Sequence, residues 1–133
     1  MSLRWNSVVI DCHDIGAQAR WWAGVLDWQI TYEAEDEVVI VPRHVTEESL
    51  RNTPWEQVGP DLSFVQVPEE KVVKNRLHID LAPQLDDDQA EMVEGLIARG
   101  ATRADVGQDT TKVNWVVLAD PEGNEFCVLS SRA

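Results

Sequence analysis

The sequence has no long apolar run and very few cysteines. No apolar segment approaches the roughly 18–20 residues that a membrane-spanning helix needs, so no membrane partner is expected. The first residues, MSLRWNSVVID, have neither the apolar core nor the cleavage site of a signal peptide. The two cysteines, Cys12 and Cys127, do not make a disulfide framework. These shortages favour a cytoplasmic protein with reduced thiols.

Basic residues are also scarce. The chain has 11 Lys and Arg residues against 24 Asp and Glu residues, and its formal net charge is −13. This charge repels nucleic-acid backbones and anionic lipids, and no basic stripe offsets it, so nucleic acid is not an expected partner. What the sequence does have is 44% hydrophobic residues in 133, which suits one compact domain over residues 1–133.

The chain repeats itself after a shift of 71 residues. The segment 7–28, SVVIDCHDIGAQARWWAGVLDW, then aligns with 78–99, HIDLAPQLDDDQAEMVEGLIAR. In both segments a strand precedes an amphipathic helix, and the two apolar stripes coincide. Three strand patterns follow each helix, at 28–34, 37–42 and 62–69 and at 102–107, 114–120 and 125–131. The sequence therefore predicts two βαβββ modules, at about 3–69 and 75–131.

Capping signals mark the helix of the second module. Asp86 is its predicted N-cap, with Gln89 three residues later at the spacing of a capping box. Arg99 followed by Gly100 is the predicted stop signal.

Two connections also have readable signals. DPEGN (120–124) predicts a tight turn between the last two strands, because Pro121 presets φ and Gly123 tolerates positive φ. The long connection 43–61, which carries Trp55, is predicted to be a functional loop or lid.

The segment NRLHIDL (75–81) predicts a strand with two unlike faces. Side chains alternate between the faces of a strand, so Leu77, Ile79 and Leu81 form an aliphatic face. The other face has a cation, an imidazole and a carboxylate in a row, from Arg76, His78 and Asp80. Arg76 and Asp80 are close enough on this face to form an ion pair.

Two βαβββ modules with DPEGN before the last strand resemble the vicinal oxygen chelate superfamily of glyoxalases, bleomycin resistance proteins and dioxygenases. FVQVPEEKVVKNRLHIDL (64–81) and WVVLADPEGNEFCVL (115–129) resemble, more narrowly, a bacterial glyoxalase-like domain family. The resemblance implies an α+β fold in which the tandem modules form a cupped, mostly antiparallel sheet with helices on the convex face. It also implies a ligand site inside the cup and, often, a homodimer.

Strand alternation then predicts which side chains face the cup. The aliphatic face of 75–81 is expected to lie under the helices, and its polar face is expected to line the cup. On the fourth strand, Val65 and Val67 are assigned to the helix side. The last strand directs Glu125, Cys127 and Leu129 inward. The predicted ligand-binding residues are Trp5, Ser7, Phe64, Gln66, Arg76, His78, Asp80, Trp115 and Cys127.

Metal-binding members of the superfamily take one ligand from each of four strands, usually His or Glu. By motif alignment these positions fall here on Ser7, Gln66, His78 and Cys127. His78 matches the pattern, whereas serine is a poor donor and cysteine stands where glutamate is usual. The four positions therefore predict no stoichiometric metal, and no other cofactor is expected.

Three functions are compatible with these residues. The first is a metal-independent pocket for an apolar or aromatic small molecule, walled by Trp5, Phe64 and Trp115. The second is a lyase or isomerase acting next to a carbonyl group, with His78 as general base or metal ligand and Glu125 or Asp80 as its partner carboxylate. The third is a regulatory or interaction module whose cup is unused. The fold does not decide among them, and the first is preferred.

We expect the protein to be a homodimer, because tandem βαβββ modules leave open sheet edges that must be paired or covered. Light scattering at micromolar concentration should give about 30 kDa, twice the 15.0 kDa of one chain. A particle of the single-chain mass would contradict this expectation.

Overall fold

The computed structural model describes residues 1–133, which form two compact units, 1–70 and 71–133. The first unit has an open four-stranded sheet in the order β1-β4-β3-β2, with β1 parallel to β4 and the other neighbours antiparallel. Its elements are β1 (Ser7–Cys12), α1 (Ile15–Leu26), β2 (Trp28–Glu33), β3 (Glu37–Pro42), α2 (Glu47–Arg51) and β4 (Asp61–Gln66).

The second unit repeats this arrangement. Its sheet has the order β5-β8-β7-β6, again with one parallel pair, β5 with β8. Its elements are β5 (Ile79–Leu81), α3 (Gln89–Ala98), β6 (Thr102–Arg103), β7 (Val116–Ala119) and β8 (Glu125–Val128). The predicted α+β class, the tandem βαβββ units and the mostly antiparallel pairing are confirmed. None of the three helices has both the length and the apolar content to cross a bilayer.

The helix of the second unit begins two residues later than predicted. Asp88, not Asp86, is the N-cap of α3, and its carboxylate accepts hydrogen bonds from the backbone N–H groups of Ala90 and Glu91. The predicted capping box does not form, because Gln89 is the first residue of the helix and not the third. Its amide donates instead to the carbonyl groups of Asn114 and Val128. The predicted stop is confirmed, since Gly100 has a φ of 114° directly after the helix.

The predicted DPEGN turn joins β7 to β8. The backbone N–H of Asp120 donates to the carbonyl of Asn124 at 2.9 Å, and Gly123 has a φ of 88°. The Asp120 carboxylate also accepts the N–H groups of Glu122 and Asn124, so the turn is closed by its own side chain.

The side-chain pattern predicted for β4 is wrong by one residue. In the parallel pair of β1 and β4, Ile10 lies opposite Phe64, and Ser7 lies opposite Asp61. Phe64 is therefore on the apolar face, where it is completely buried, and Gln66 shares that face. In the segment LSFVQV, both sets of alternating side chains include apolar residues, so alternation could not show which set is buried. Pairing with β1 makes the choice.

The predicted strand 75–81 is only partly a strand. β5 begins at Ile79, which lies opposite Phe126, and its aliphatic face is as predicted from there on. Leu77 is 89% exposed, contrary to the prediction that it lies under the helices. The backbone N–H of Asn75 donates to the Glu125 carboxylate, so this part of the chain is held by a side chain and not by a strand partner.

A comparison of the exposed Leu77 with the buried Leu118 gives a matched test of stability. Leu118 of β7 is 0% exposed, and we expect Leu118→Ala to lower the free energy of unfolding by about 2–5 kcal/mol, because it leaves a cavity in the core. Leu77→Ala removes the same atoms from an exposed side chain and should change it by less than about 0.5 kcal/mol. Urea unfolding of the two variants measures both values. Equal losses of unfolding free energy in the two variants would show that the Leu77 side chain is packed against the rest of the protein.

Candidate functional site

Three side chains with metal-ligating or acid–base chemistry meet on one face of the second sheet. Asp80 and Cys127 are neighbours in the parallel pair of β5 and β8, so their side chains point to the same side. His78 lies two residues before Asp80. The ligand atoms of all three residues lie within 4.8 Å of one another. We call His78, Asp80 and Cys127 the polar cluster.

The polar cluster opens into a cavity of about 280 Å³ that lies entirely within the second unit. Alternation on the last strand also directs Glu125 and Leu129 inward, and Trp115 is another predicted ligand-binding residue; all three line this cavity. Its other lining residues are Lys74, Asn75, Val106, Val117 and Phe126. Lys74, Asn75 and Val106 were not predicted. Lys74 precedes the predicted strand 75–81, and Asn75 and Val106 lie in predicted strands that the structure does not form at those residues.

Asp80 pairs with His78, and the alternative pair with Arg76 does not form. The His78 Nε2 and Asp80 Oδ1 atoms are 3.1 Å apart, and each side chain is about half exposed. Arg76 does not line the cavity. A carboxylate in this position fixes the orientation of the imidazole and favours the tautomer with its proton on Nε2.

Cys127 is buried, and its environment disfavours the thiolate. Burial raises the pKa of the Cys127 thiol, and the negative charge of Asp80 and a hydrogen bond to its carboxylate raise the pKa further. The positive charge of Lys74 opposes this shift without cancelling it. The thiol is therefore protonated at neutral pH and is a weak nucleophile as it stands.

Glu125, the other predicted partner of His78, is bound elsewhere. Its carboxylate accepts hydrogen bonds from Lys71 Nζ at 2.8 Å and from the backbone N–H of Asn75 at 3.1 Å. Burial alone would raise the pKa of Glu125, but the Lys71 and Asn75 hydrogen bonds outweigh it, so the pKa lies below its ordinary value. Glu125 is therefore a fixed anion that attaches residues 71–75 to β8.

The remaining predicted site residues lie in the first unit. Ser7 Oγ donates to the Asp61 carboxylate, and Trp5 Nε1 donates to the Ser7 carbonyl at 3.0 Å. Phe64 is part of the core, and Gln66 lies on the sheet face opposite Ser7. Ser7 and Gln66 thus do not share a face. The ligand-binding roles of Trp5 and Ser7 stay predictions.

The loop 43–61 borders a second cavity, of about 490 Å³, in the first unit. Trp55 is half exposed there, with the Arg4 guanidinium 5.1 Å from its ring centroid. The Asp61 carboxylate at its edge is already paired with Ser7. The one group of side chains that could jointly hold a metal lies in the second unit. The cavity of the second unit is therefore the better candidate for a chemical site.

The polar cluster fits a divalent metal ion by the chemistry of its donors. Zinc sites use histidine nitrogen, carboxylate oxygen and cysteine sulfur, and three protein donors leave a fourth position open. The expectation of no metal counted only the four superfamily positions and so left Asp80 out. Asp80 is the donor that the tertiary structure adds.

The order of strands and helices is the one that the resemblance to the vicinal oxygen chelate superfamily implies. Within it, the sequence profile of the glyoxalase-like domain matches residues 7–129, and the chain belongs to that family. None of the curated proteins gives a significant match.

Solved structures share the fold at low identity. A glyoxalase/bleomycin resistance protein/dioxygenase family enzyme from Burkholderia phytofirmans PsJN is 18% identical, and the match covers 96% of this chain and 98% of that chain with a TM-score of 0.67. A mutant of the fosfomycin resistance protein FosX from Listeria monocytogenes, in complex with Mn(II) and 1S,2S-dihydroxypropylphosphonic acid, is 10% identical, with coverages of 98% and 92% and a TM-score of 0.67. Such identities show the fold alone.

The ion pair of Lys71 and Glu125 should make stability depend on pH. The side chains are only 22% and 14% exposed, so Glu125→Gln should lower the free energy of unfolding at pH 7 by about 1–2 kcal/mol. Because the folded-state pKa lies below the ordinary 4.5, this contribution is complete above pH 4.5 and is lost as the pH falls through the lower folded-state pKa.

Urea unfolding of the wild type and Glu125→Gln at several pH values between 7 and 3 measures the difference. Glu94→Gln removes a carboxylate from an exposed pair with Arg103 and serves as the control, with little expected change. If the loss of unfolding free energy caused by Glu125→Gln grew toward low pH, the lowered folded-state pKa of Glu125 would be contradicted.

Proposed function

We propose that the second unit binds a small molecule that has an apolar body and a polar head, and that it does so without a metal. The observation that supports this is a single cavity that combines apolar walls with the polar cluster. Trp115, Val117 and Leu129 provide apolar surface, and His78, Asp80 and Lys74 provide hydrogen-bonding groups. Ligand pockets have this composition, with a few polar groups that fix the orientation of a mostly apolar ligand.

The charges of the cavity limit the head group. Asp80 and Glu125 are anionic, and Lys71 already pairs with Glu125, which leaves Lys74 as the cation of the lining. A neutral hydroxyl group can accept a hydrogen bond from Lys74 or donate one to His78 Nδ1, and a carbonyl group can accept one from Lys74, without being repelled by Asp80. The FosX structure contains 1S,2S-dihydroxypropylphosphonic acid, so a molecule of that size is compatible with this fold.

Three probes that share a six-membered carbon ring and differ in the polar group test the proposal: cyclohexanol, cyclohexanone and cyclohexanecarboxylate. Titration of metal-stripped protein, followed by tryptophan fluorescence and melting temperature, should show binding of the alcohol or the ketone in preference to the carboxylate. Trp115→Phe should remove most of the fluorescence response, because Trp115 lines the cavity and the other five tryptophans do not.

His78→Leu separates binding from stability. It removes the Nδ1 acceptor of a hydroxyl head group, so we expect binding of cyclohexanol to weaken roughly tenfold, equivalent to one hydrogen bond of about 1.4 kcal/mol. Its effect on unfolding should stay below about 1 kcal/mol, since the side chain is about half exposed. Binding that survives unchanged in both Trp115→Phe and His78→Leu would place the ligand elsewhere.

A second candidate function is proton abstraction next to a carbonyl group, as in a lyase or isomerase. The contact between His78 Nε2 and Asp80 favours it, because the carboxylate orients the imidazole and leaves Nδ1 to accept a proton. In deuterium oxide, a proton taken from the carbon next to the carbonyl of cyclohexanone would be replaced by deuterium. NMR would detect the exchange, which should disappear in His78→Leu and weaken in Asp80→Asn.

A further inference from the structure

We propose that His78, Asp80 and Cys127 bind one thiophilic divalent cation, of the zinc type, within the second unit alone. The site uses one nitrogen, one carboxylate oxygen and one sulfur, and leaves one coordination position open to the cavity. It differs from the four-strand ligand set of the superfamily because Asp80, two residues after His78 on the same strand, is not one of the four positions.

The spacing of the three donors is close to that of a formed site. Zinc bonds of about 2.0–2.3 Å place the ligand atoms of a tetrahedral site about 3.3–3.7 Å apart. The donors of the polar cluster lie within 4.8 Å of one another. A contraction of about 1 Å is sufficient, and rotation of the half-exposed His78 and Asp80 side chains can supply it.

The sheet provides the rigid part of this site. Asp80 and Cys127 are held side by side by the register of β5 and β8, and that register is fixed by burial of the apolar face behind them. Glu125 is not included among the donors, since Lys71 and Asn75 already bind its carboxylate.

The first unit has no equivalent site. The shift of 71 residues aligns Ser7 with His78 and Val9 with Asp80. Val9 pairs with Ser63 of β4, as Asp80 pairs with Cys127 of β8, so Ser63 takes the place of Cys127 in the first unit. Both serines already donate to carboxylates, Ser7 to Asp61 and Ser63 to Glu37. The donor set therefore belongs to the second unit.

The sulfur donor decides the kind of metal. Thiolate and imidazole favour Zn(II) and Co(II), whereas Mn(II) and Mg(II) prefer carboxylates and water. The inference does not depend on the proposed small-molecule binding, because the ion can be titrated with no other ligand present. A bound ion would occupy the same polar groups as the head of the ligand, so metal-free and metal-loaded protein would have different binding properties.

Titration with Co(II) tests the site through a signal that only a cysteine ligand produces. Metal-stripped full-length protein, in excess Mg(II) to suppress weak binding by surface carboxylates, should develop a thiolate-to-cobalt charge-transfer band that saturates at one ion per chain. One equivalent of Zn(II) should abolish the band, and excess Mn(II) should not.

Variants assign the band to its donors. Cys127→Ser should remove the band, whereas Cys12→Ser, which changes the other buried cysteine, should keep it. Asp80→Asn and His78→Leu should weaken Co(II) binding by at least roughly tenfold, since loss of a second-shell partner alone costs about 10–100-fold. Circular dichroism and urea unfolding of each variant exclude misfolding as the cause.

Several results would overturn the inference. No charge-transfer band, a band retained in Cys127→Ser, or displacement by Mn(II) would each do so. An equal loss of affinity in Gln66→Ala would assign the ion to the four superfamily positions instead. Failure of the cyclohexane probes to bind would leave the metal result unaffected, so the two proposals can fail separately.

Discussion

The parallel pairing of β5 with β8 is the constraint on which the candidate site depends. One register places Ile79 opposite Phe126 on the apolar face and Asp80 beside Cys127 on the other. A slip of one residue would expose Ile79 and Phe126 to solvent and bury the Asp80 carboxylate, and both changes would lower the stability of the fold. The free energy of burying the apolar face therefore holds the polar cluster in place.

The segment before β5 is positioned by a different kind of force. Residues 71–78 have no strand partner, and the Glu125 carboxylate binds two of them, Lys71 and Asn75. Lys74 and Asn75, which line the cavity, therefore take their positions from an ion pair and a hydrogen bond at the start of β8. Apolar burial supports one wall of the cavity, and electrostatics supports another.

The two units share an architecture but not a chemistry. In the first unit the polar side chains on the corresponding sheet face satisfy one another in serine–carboxylate pairs. In the second, an imidazole, a carboxylate and a thiol are close together beside an open cavity. A repeated fold can thus keep its packing in both copies while one copy alone acquires a reactive combination of side chains.

Sequence patterns alone predict the architecture and the polar face of β5. The two βαβββ units follow from the internal repeat, and the DPEGN turn follows from Pro121 and Gly123. The faces of Ile79 and Asp80 follow from a strand pattern in which only one of the two alternating sets of side chains is apolar. Where both faces of a strand include apolar side chains, as around Phe64, the buried face is set by the pairing with β1. Likewise, the exposure of Leu77 and the pairing of Asp80 with His78 instead of Arg76 were decided by the tertiary structure. The physical reason is that alternation gives the direction of a side chain only where a strand exists, and the length and partner of a strand are set by contacts distant in sequence.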